Sequence, residues 1–268
     1  MPSDRLQYRV TDDHLAEGGM AVLSKISLPG GGFAVLRELQ RSKLLRFDLR
    51  RRFISGVMTR RDLSPHPCIV NSLEVGRHFL TPYEIIEYVD GVPLRNLMTL
   101  DARRVRDDAE FILREMAQGL AWVHTCGMMH LDVKPENFLV KKQGDHFTVK
   151  LTDFDMARKK DDNGPRKILG TPGFMAPEQF NQKLSYQASD VFAFGLIAYQ
   201  IVTCKLPFSG KTQKETWRQQ ASPNVQPRPI HELVPNVNQK LEHVIINCLQ
   251  KPLQRRYDNM AQVLQALS

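Results

Sequence analysis

The chain has 268 residues, 42% hydrophobic and 25% charged, enough to bury a sizeable core as one large domain or two lobes. Its net charge is +8, but no nucleic-acid motif accompanies the charge and aromatics are not interleaved with it, which argues against a nucleic-acid partner. The four cysteines (Cys68, Cys126, Cys204, Cys248) lie far apart with no C-x-x-C pair, a pattern that argues against a disulfide framework or zinc site and fits a reduced cytoplasm.

The opening MPSDRLQYRV lacks an apolar leader core, so a secretory signal is not expected there. Next come MAVLSKISL and GFAVLREL, two β-type runs joined by PGGG at 29–32, which reads as a hairpin turn rather than a phosphate cradle because no helix start follows it. A basic helical stretch spans about 44–63 and holds Arg46, Arg50, Arg51, Arg52, Arg60 and Arg61. It reads first as a solvated helix face, with an acidic partner or membrane surface as the alternative. LEVG and YEIIEYV follow as two further strands.

Beyond the joint EYVDGVP the periodicity changes. Apolar residues recur at helical spacing over 107–126, 187–204 and 237–250. The longest apolar run, VFAFGLIAYQIV, is too short to span a bilayer and reads as a buried helix, so no transmembrane segment is expected. Two short β-like pieces, NFLV and TVKLTDF, lie between the helices. The expected class is α+β, one domain with a small antiparallel-sheet lobe over about 1–89 and a larger, mainly helical lobe over about 90–268. A cleft between lobes is a usual place for a small-molecule site.

The chemistry concentrates in HLDVKPENFLV, residues 130–140. Asp132 can accept a proton, Lys134 can meet a negative oxygen, and Asn137 can ligate a metal. By itself this stretch reads equally well as an exposed loop. DFD, Asp153 to Asp155, follows the second β-like piece. Asn137 and Asp153 are hard oxygen donors of the kind Mg²⁺ prefers beside phosphate oxygens.

Together these features resemble the protein kinase family over nearly the whole chain. HLDVKPENFLV is similar to the catalytic loop H-R-D-x-K-x-x-N, and DFD stands where D-F-G is expected. APE at 176–178, preceded by GTPGFM, is similar to the end of an activation segment. SDVFAFG resembles the buried helix whose Asp190 braces the catalytic loop, and QRRY supplies Arg255 to pair with Glu178. AEGGMAVL resembles the glycine-rich loop and EIIEYVDG the adenine-binding hinge.

The resemblance implies a bilobal kinase fold and a cytoplasmic serine/threonine kinase that uses ATP with Mg²⁺ or Mn²⁺ to phosphorylate a protein substrate. Asp132 would be the base and Lys134 the γ-phosphate contact. Asn137 and Asp153 would hold the metal. Ala16, Glu17, Gly18, Gly19 and Ala21 would cover the phosphates, and Leu23, Ala34 and Leu139 would sandwich the adenine. Glu87 and Val89 would offer it backbone groups, with Ile86 as gatekeeper. Arg37 would bring positive charge to the α- and β-phosphates. His130 is expected to pack rather than ligate.

The chain also departs from the pattern. Arg37 stands where the strand lysine is expected, and the two are not interchangeable. The glutamate that would hold that lysine is absent from the basic helix; its position falls near Gly56 or Val57. Ala16 and Ala21 replace loop glycines and are expected to bring Cβ atoms toward the phosphates. Asp155 replaces the glycine of D-F-G, and Leu131 the arginine of H-R-D, so phosphorylation at Thr171 or nearby has no obvious cation to pair with. Lys25, on the strand after the glycine loop, is a candidate substitute cation, although an exposed strand lysine is the ordinary reading. The losses support an alternative, a pseudokinase that scaffolds or regulates a protein partner. A small-molecule kinase is disfavoured by GTPGFMAPE, which in protein kinases shapes the peptide groove.

Overall fold

The computed structural model describes residues 8–144, 146–162 and 170–268. Two compact units emerge, one running to Asp90 and including Asp153–Asp155, the other comprising Gly91–Thr152 and Met156–Ser268.

The first unit is built on a five-stranded antiparallel sheet. Its strands are β1 (Arg9–Glu17), β2 (Ala21–Ser27), β3 (Phe33–Leu39), β4 (Ser72–His78) and β5 (Thr81–Glu87), in the spatial order β1-β2-β3-β5-β4. Helix α1 (Phe47–Leu63) belongs to the same unit. The turn between β2 and β3 closes through a hydrogen bond from Gly31 N to Leu28 O of 3.0 Å. Gly31 and Gly32 there have φ of 85° and 86°, a region that residues with a Cβ rarely enter.

Directly paired residues share a face of an antiparallel sheet. Leu23 pairs with Arg37, Lys25 with Val35, Val35 with Ile86, and Arg37 with Glu84. One face therefore presents Leu23, Lys25, Val35, Arg37, Glu84 and Ile86. On this side Phe53 and Val57 of α1 pack with Ala21 and Leu39. The other face carries Ile26, Ala34, Leu36, Tyr83 and Ile85 as a separate buried cluster.

The second unit opens with β6 (Val92–Pro93), α2 (Leu94–Leu100), α3 (Ala102–Asp107) and α4 (Ala109–Thr125). Short strands β7 (Met128–Met129), β8 (Phe138–Gln143), β9 (His146–Leu151) and β10 (Arg158–Lys159) follow, β8 and β9 forming an antiparallel hairpin. Helices α5 (Pro177–Asn181), α6 (Gln187–Thr203), α7 (Gln213–Ala221), α8 (Gln239–Cys248) and α9 (Met260–Leu267) complete it. Helix α6 is buried almost throughout, as its unbroken apolar run predicts. A Cβ at Gly195 would come within 2.8 Å of Cys248 Cβ, so a glycine lets α6 and α8 approach closely. Among the described residues no helix is long and apolar enough to cross a membrane.

Candidate functional site

The loop ahead of β8 is held from below by a buried carboxylate. Asp190, in the first turn of α6, accepts hydrogen bonds from His130 N (2.7 Å) and Leu131 N (2.8 Å). It also accepts one from His124 Nε2 at 3.0 Å, while His124 Nδ1 accepts from Met260 N at 3.0 Å. Leu131 adopts φ 64°, and such strain persists only where the surroundings fix it. Here Asp190 supplies the constraint. His130 accepts from Asp132 N at Nδ1 (3.3 Å) and faces the Thr152 carbonyl at Nε2 (3.2 Å). Because a carbonyl only accepts, Nε2 carries the proton and the ring orients the loop. The ring thus serves to pack and orient the loop.

Above this brace, the oxygens of Asp132 are divided between different partners. Oδ2 accepts from Lys134 Nζ at 2.5 Å and from Asn137 Nδ2 at 3.2 Å. Oδ1 accepts from the Thr171 hydroxyl at 2.8 Å, and Lys134 Nζ also donates to Thr171 Oγ1 at 3.2 Å. Asn137 Nδ2 donates to the Asp132 carbonyl as well, at 2.8 Å. Both partners of that nitrogen are acceptors, which fixes the amide orientation and directs Oδ1 away from Asp132 as a donor atom for a cation. The fit to a divalent ion is therefore good at Asn137. Sequence reasoning found Asp132, Lys134 and Asn137 but gave Thr171 no place in this network. The sequence signal was present in GTPGF, where a lone hydroxyl follows a glycine. Gly170 has φ 120°, and a Cβ there would stand 3.1 Å from Leu131 O, so the glycine brings the threonine against the loop.

Glu178, at the start of α5, is buried and paired, but with Arg256 rather than Arg255. Arg256 donates to Glu178 at 2.9 and 3.2 Å and to the carbonyls of Ala188, Gln250 and Lys251. Ser189 Oγ adds a 2.7 Å bond to Glu178. Arg255 lies in the short 3₁₀ turn Leu253–Arg255 and points to solvent. QRRY offers two adjacent arginines, and the turn decides which one faces inward.

In the first unit, Arg37 is buried and donates to Glu84 Oε1 at 2.9 Å and to Asp155 Oδ2. Arg60 of α1 takes the other oxygen of Glu84 at 3.1 Å. The guanidiniums of Arg37 and Arg60 also lie 4.6 Å from the Phe53 ring and 5.2 Å from the Phe154 ring. Burial works to lower the Arg37 guanidinium, but Asp155, Glu84 and Asp153 outweigh it and hold it above its ordinary value. Burial pushes the Asp155 carboxyl up to about 6, against the pull of Arg37. The extra carboxylate of DFD thus lies on Arg37.

Other expected nucleotide contacts divide by face. Leu23, Arg37 and Ile86 share the α1 side of the sheet, whereas Ala34 is buried in the opposite cluster with Ile26 and Tyr83. The expectation that Ala34 meets an adenine is corrected. Strand alternation turns Ala34 away and puts Val35 on that face. Ala21 is corrected too, because its methyl is buried against Leu39, Phe53 and Val57 rather than directed at a phosphate. Gln40 Nε2 donates to Glu17 Oε1 (3.0 Å) and Gly18 O (2.8 Å), and Gly18 N to Ala21 O (2.9 Å), which tie down the β1–β2 turn around Ala16–Gly19. Glu87 N donates to Asn71 O, and Val89 lies just past the end of β5. The Lys25 ammonium lies 4.0 Å from the Phe33 ring and 4.1 Å from the Tyr88 ring, engaged by aromatic faces. Leu139 lies in β8 of the second unit, paired with Pro93.

Residues 22–267 match the family model for the protein kinase domain. The chain is 28% identical over 264 residues to the probable serine/threonine-protein kinase PknB of Lactococcus lactis subsp. lactis, covering 96% of this chain and 41% of that protein. It is 34% identical over 214 residues to the serine/threonine-protein kinase Pkn1 of Myxococcus xanthus (77% and 30%). With the serine/threonine-protein kinase PknB of Mycolicibacterium smegmatis it shares 30% identity over 235 residues (82% and 37%). The chain spans between 30% and 41% of the length of these relatives. With the protein kinase domain matched over residues 22–267 and the Asp132 loop, DFD and APE segments in order, the chain belongs to the protein kinase family.

Proposed function

We propose that this chain is a serine/threonine protein kinase that transfers the γ-phosphoryl group of ATP to a protein hydroxyl. The observation that carries the reading is the division of Asp132. One oxygen is neutralised by Lys134, and the other already accepts a hydroxyl, that of Thr171, at 2.8 Å. A substrate serine or threonine presenting its hydroxyl to Asp132 would be oriented in the same way and would pass its proton to the carboxylate as its oxygen bonds the γ-phosphorus and the bond from that phosphorus to the departing ADP oxygen breaks.

Lys134 meets the negative charge of the transferred group while holding Asp132 in place. Asn137 and Asp153 are the proposed ligands of Mg²⁺ or Mn²⁺. Bound with ATP, the ion neutralises phosphate charge, so the protein's task is mainly positioning. Leu23, Val35, Ile86 and Leu139 supply apolar contacts to the adenine, with Glu87 and Val89 as its backbone partners.

One observation favours a second reading, a nucleotide-binding pseudokinase. Arg37 is buried and engaged by two carboxylates, which leaves it less to offer a phosphate than a lysine with one partner. The test is γ-phosphate transfer to a generic protein substrate with Mg²⁺ or Mn²⁺, comparing the native chain with Asp132→Asn. Transfer by the native chain alone supports the kinase. Equal background from both removes it, and stabilisation by Mg-ATP without turnover then identifies the pseudokinase.

A further inference from the structure

Two of the oddities in this sequence meet at one point. Gly56 lies in the middle of α1, and a Cβ built there would stand 2.9 Å from Asp155 Cα and 3.0 Å from Asp155 N, closer still to Oδ1. These are largely backbone atoms, which cannot swing aside as a side-chain tip can. The backbone at Gly56 has no left-handed φ, so space, not conformation, demands the glycine.

Helix α1 itself offers Arg37 no carboxylate. Its acids are Asp48 and Asp62, near its two ends, and both are exposed and paired with Arg46 and Arg61. Besides Glu84 of β5, the negative charge on Arg37 comes instead from the segment after β9. We propose that Asp155 is the positioning residue that holds Arg37, and that Gly56 is the matching gap on α1 that admits it. The two departures are then one exchange: a carboxylate has moved across a contact and a glycine has moved the other way.

Charge accounting supports the exchange. Arg37 and Arg60 both lean on the single carboxylate of Glu84, one on each oxygen. Without Asp155, and setting aside the half-buried Asp153 nearby, the buried group would hold two cations against one anion. With it the cluster balances, which is the condition for tolerating charge away from water. Phe154 under Arg60 fastens the same tripeptide a second time. Arg37 is thus positioned by Glu84 and by Asp155, two residues after the proposed metal ligand Asp153, rather than by a carboxylate of α1.

The inference rests on the kinase reading only for its nucleotide readout. The experiment compares the native chain with Asp155→Asn, Asp155→Gly, Gly56→Glu and the double variant Gly56→Glu/Asp155→Gly. Thermal midpoint, Mg-ATP affinity, and the kcat and KM for ATP are measured for each. Asp155→Asn, nearly the same shape, is expected to weaken Mg-ATP binding about tenfold, as loss of one charge-assisted contact does. Gly56→Glu alone is expected to be the most damaged. The double variant is expected to recover affinity and midpoint toward native values, because a glutamate on α1 then occupies the room Asp155 leaves. A double variant no better than its worse parent overturns the proposal, as does an Asp155→Asn protein with native midpoint and affinity. If the native chain binds no Mg-ATP, the kinase reading fails separately. Recovery of the thermal midpoint in the double variant would still uphold the exchange, and its absence would overturn it.

Discussion

The Thr171 hydroxyl donates to Asp132 Oδ1 at 2.8 Å and accepts from Lys134 at 3.2 Å, so one small side chain ties the proposed base to the proposed phosphate contact. Thr171→Ser keeps the hydroxyl and should retain transfer. Thr171→Ala should lower kcat by about tenfold, the scale of one lost hydrogen bond to a charged group. Thr171→Glu should abolish transfer, because a second carboxylate against Asp132 repels it. A kcat and KM series across the three variants checks the order.

The buried pair of Glu178 and Arg256 predicts a sharp contrast between neighbouring arginines. Arg256→Ala strands the Glu178 carboxylate in the interior, and removing one partner of such a pair costs about 3–5 kcal/mol. Arg255→Ala, at a solvated position, should fall within about 0.5 kcal/mol of native stability. Denaturant midpoints of the two variants decide the matter.

Lys251 gives a pH dependence. Its ammonium lies 3.5 Å from the Phe208 ring and donates to the Gln220 and Gln219 carbonyls. Burial, then the Arg256 charge, lowers it from 10.5 to about 7. Between those values the unfolded chain holds a proton that the folded chain has released. The contribution of this group to stability therefore rises as pH increases from about 7 towards 10.5. Thermal midpoints measured across that window should show the slope, and Lys251→Met should flatten it.

Asn137 is tested through metal dependence. Mg-ATP is expected to stabilise the native chain; Asn137→Ala should abolish that stabilisation, and chelation of Mg²⁺ should produce the same loss in the native chain. Because Asn137 Nδ2 also bonds Asp132, the magnesium titration is the informative measurement. Asn137→Asp, which keeps an oxygen donor, should recover part of the response.

Much of this was legible because period and motif reinforce each other. The helical spacing at 107–126 and 187–204 corresponds to α4 and α6, and Asp132, Lys134 and Asn137 meet as their spacing suggests. Strand β1 was not legible. RVTDDHLAE is polar, and as an edge strand paired only with β2 it needs no apolar alternation. Ala34 was misassigned by one residue, which in a strand means the wrong face. Arg255 was confused with Arg256 because two like residues adjoin in a turn without fixed period. The bond between Arg37 and Asp155 spans 118 positions, and no local pattern announces a contact of that reach.

The hydrogen bonds around His124 have one more consequence. An amide in the last helix, Met260 N, fixes one ring nitrogen of His124; the other grips Asp190, which in turn clamps the backbone at His130 and Leu131. The tautomer of a single imidazole thus transmits the seating of the C-terminal helix to a turn more than a hundred residues earlier in sequence. A substitution at 260 that shifted that amide would be read out in the backbone at His130 and Leu131, ahead of the proposed base Asp132.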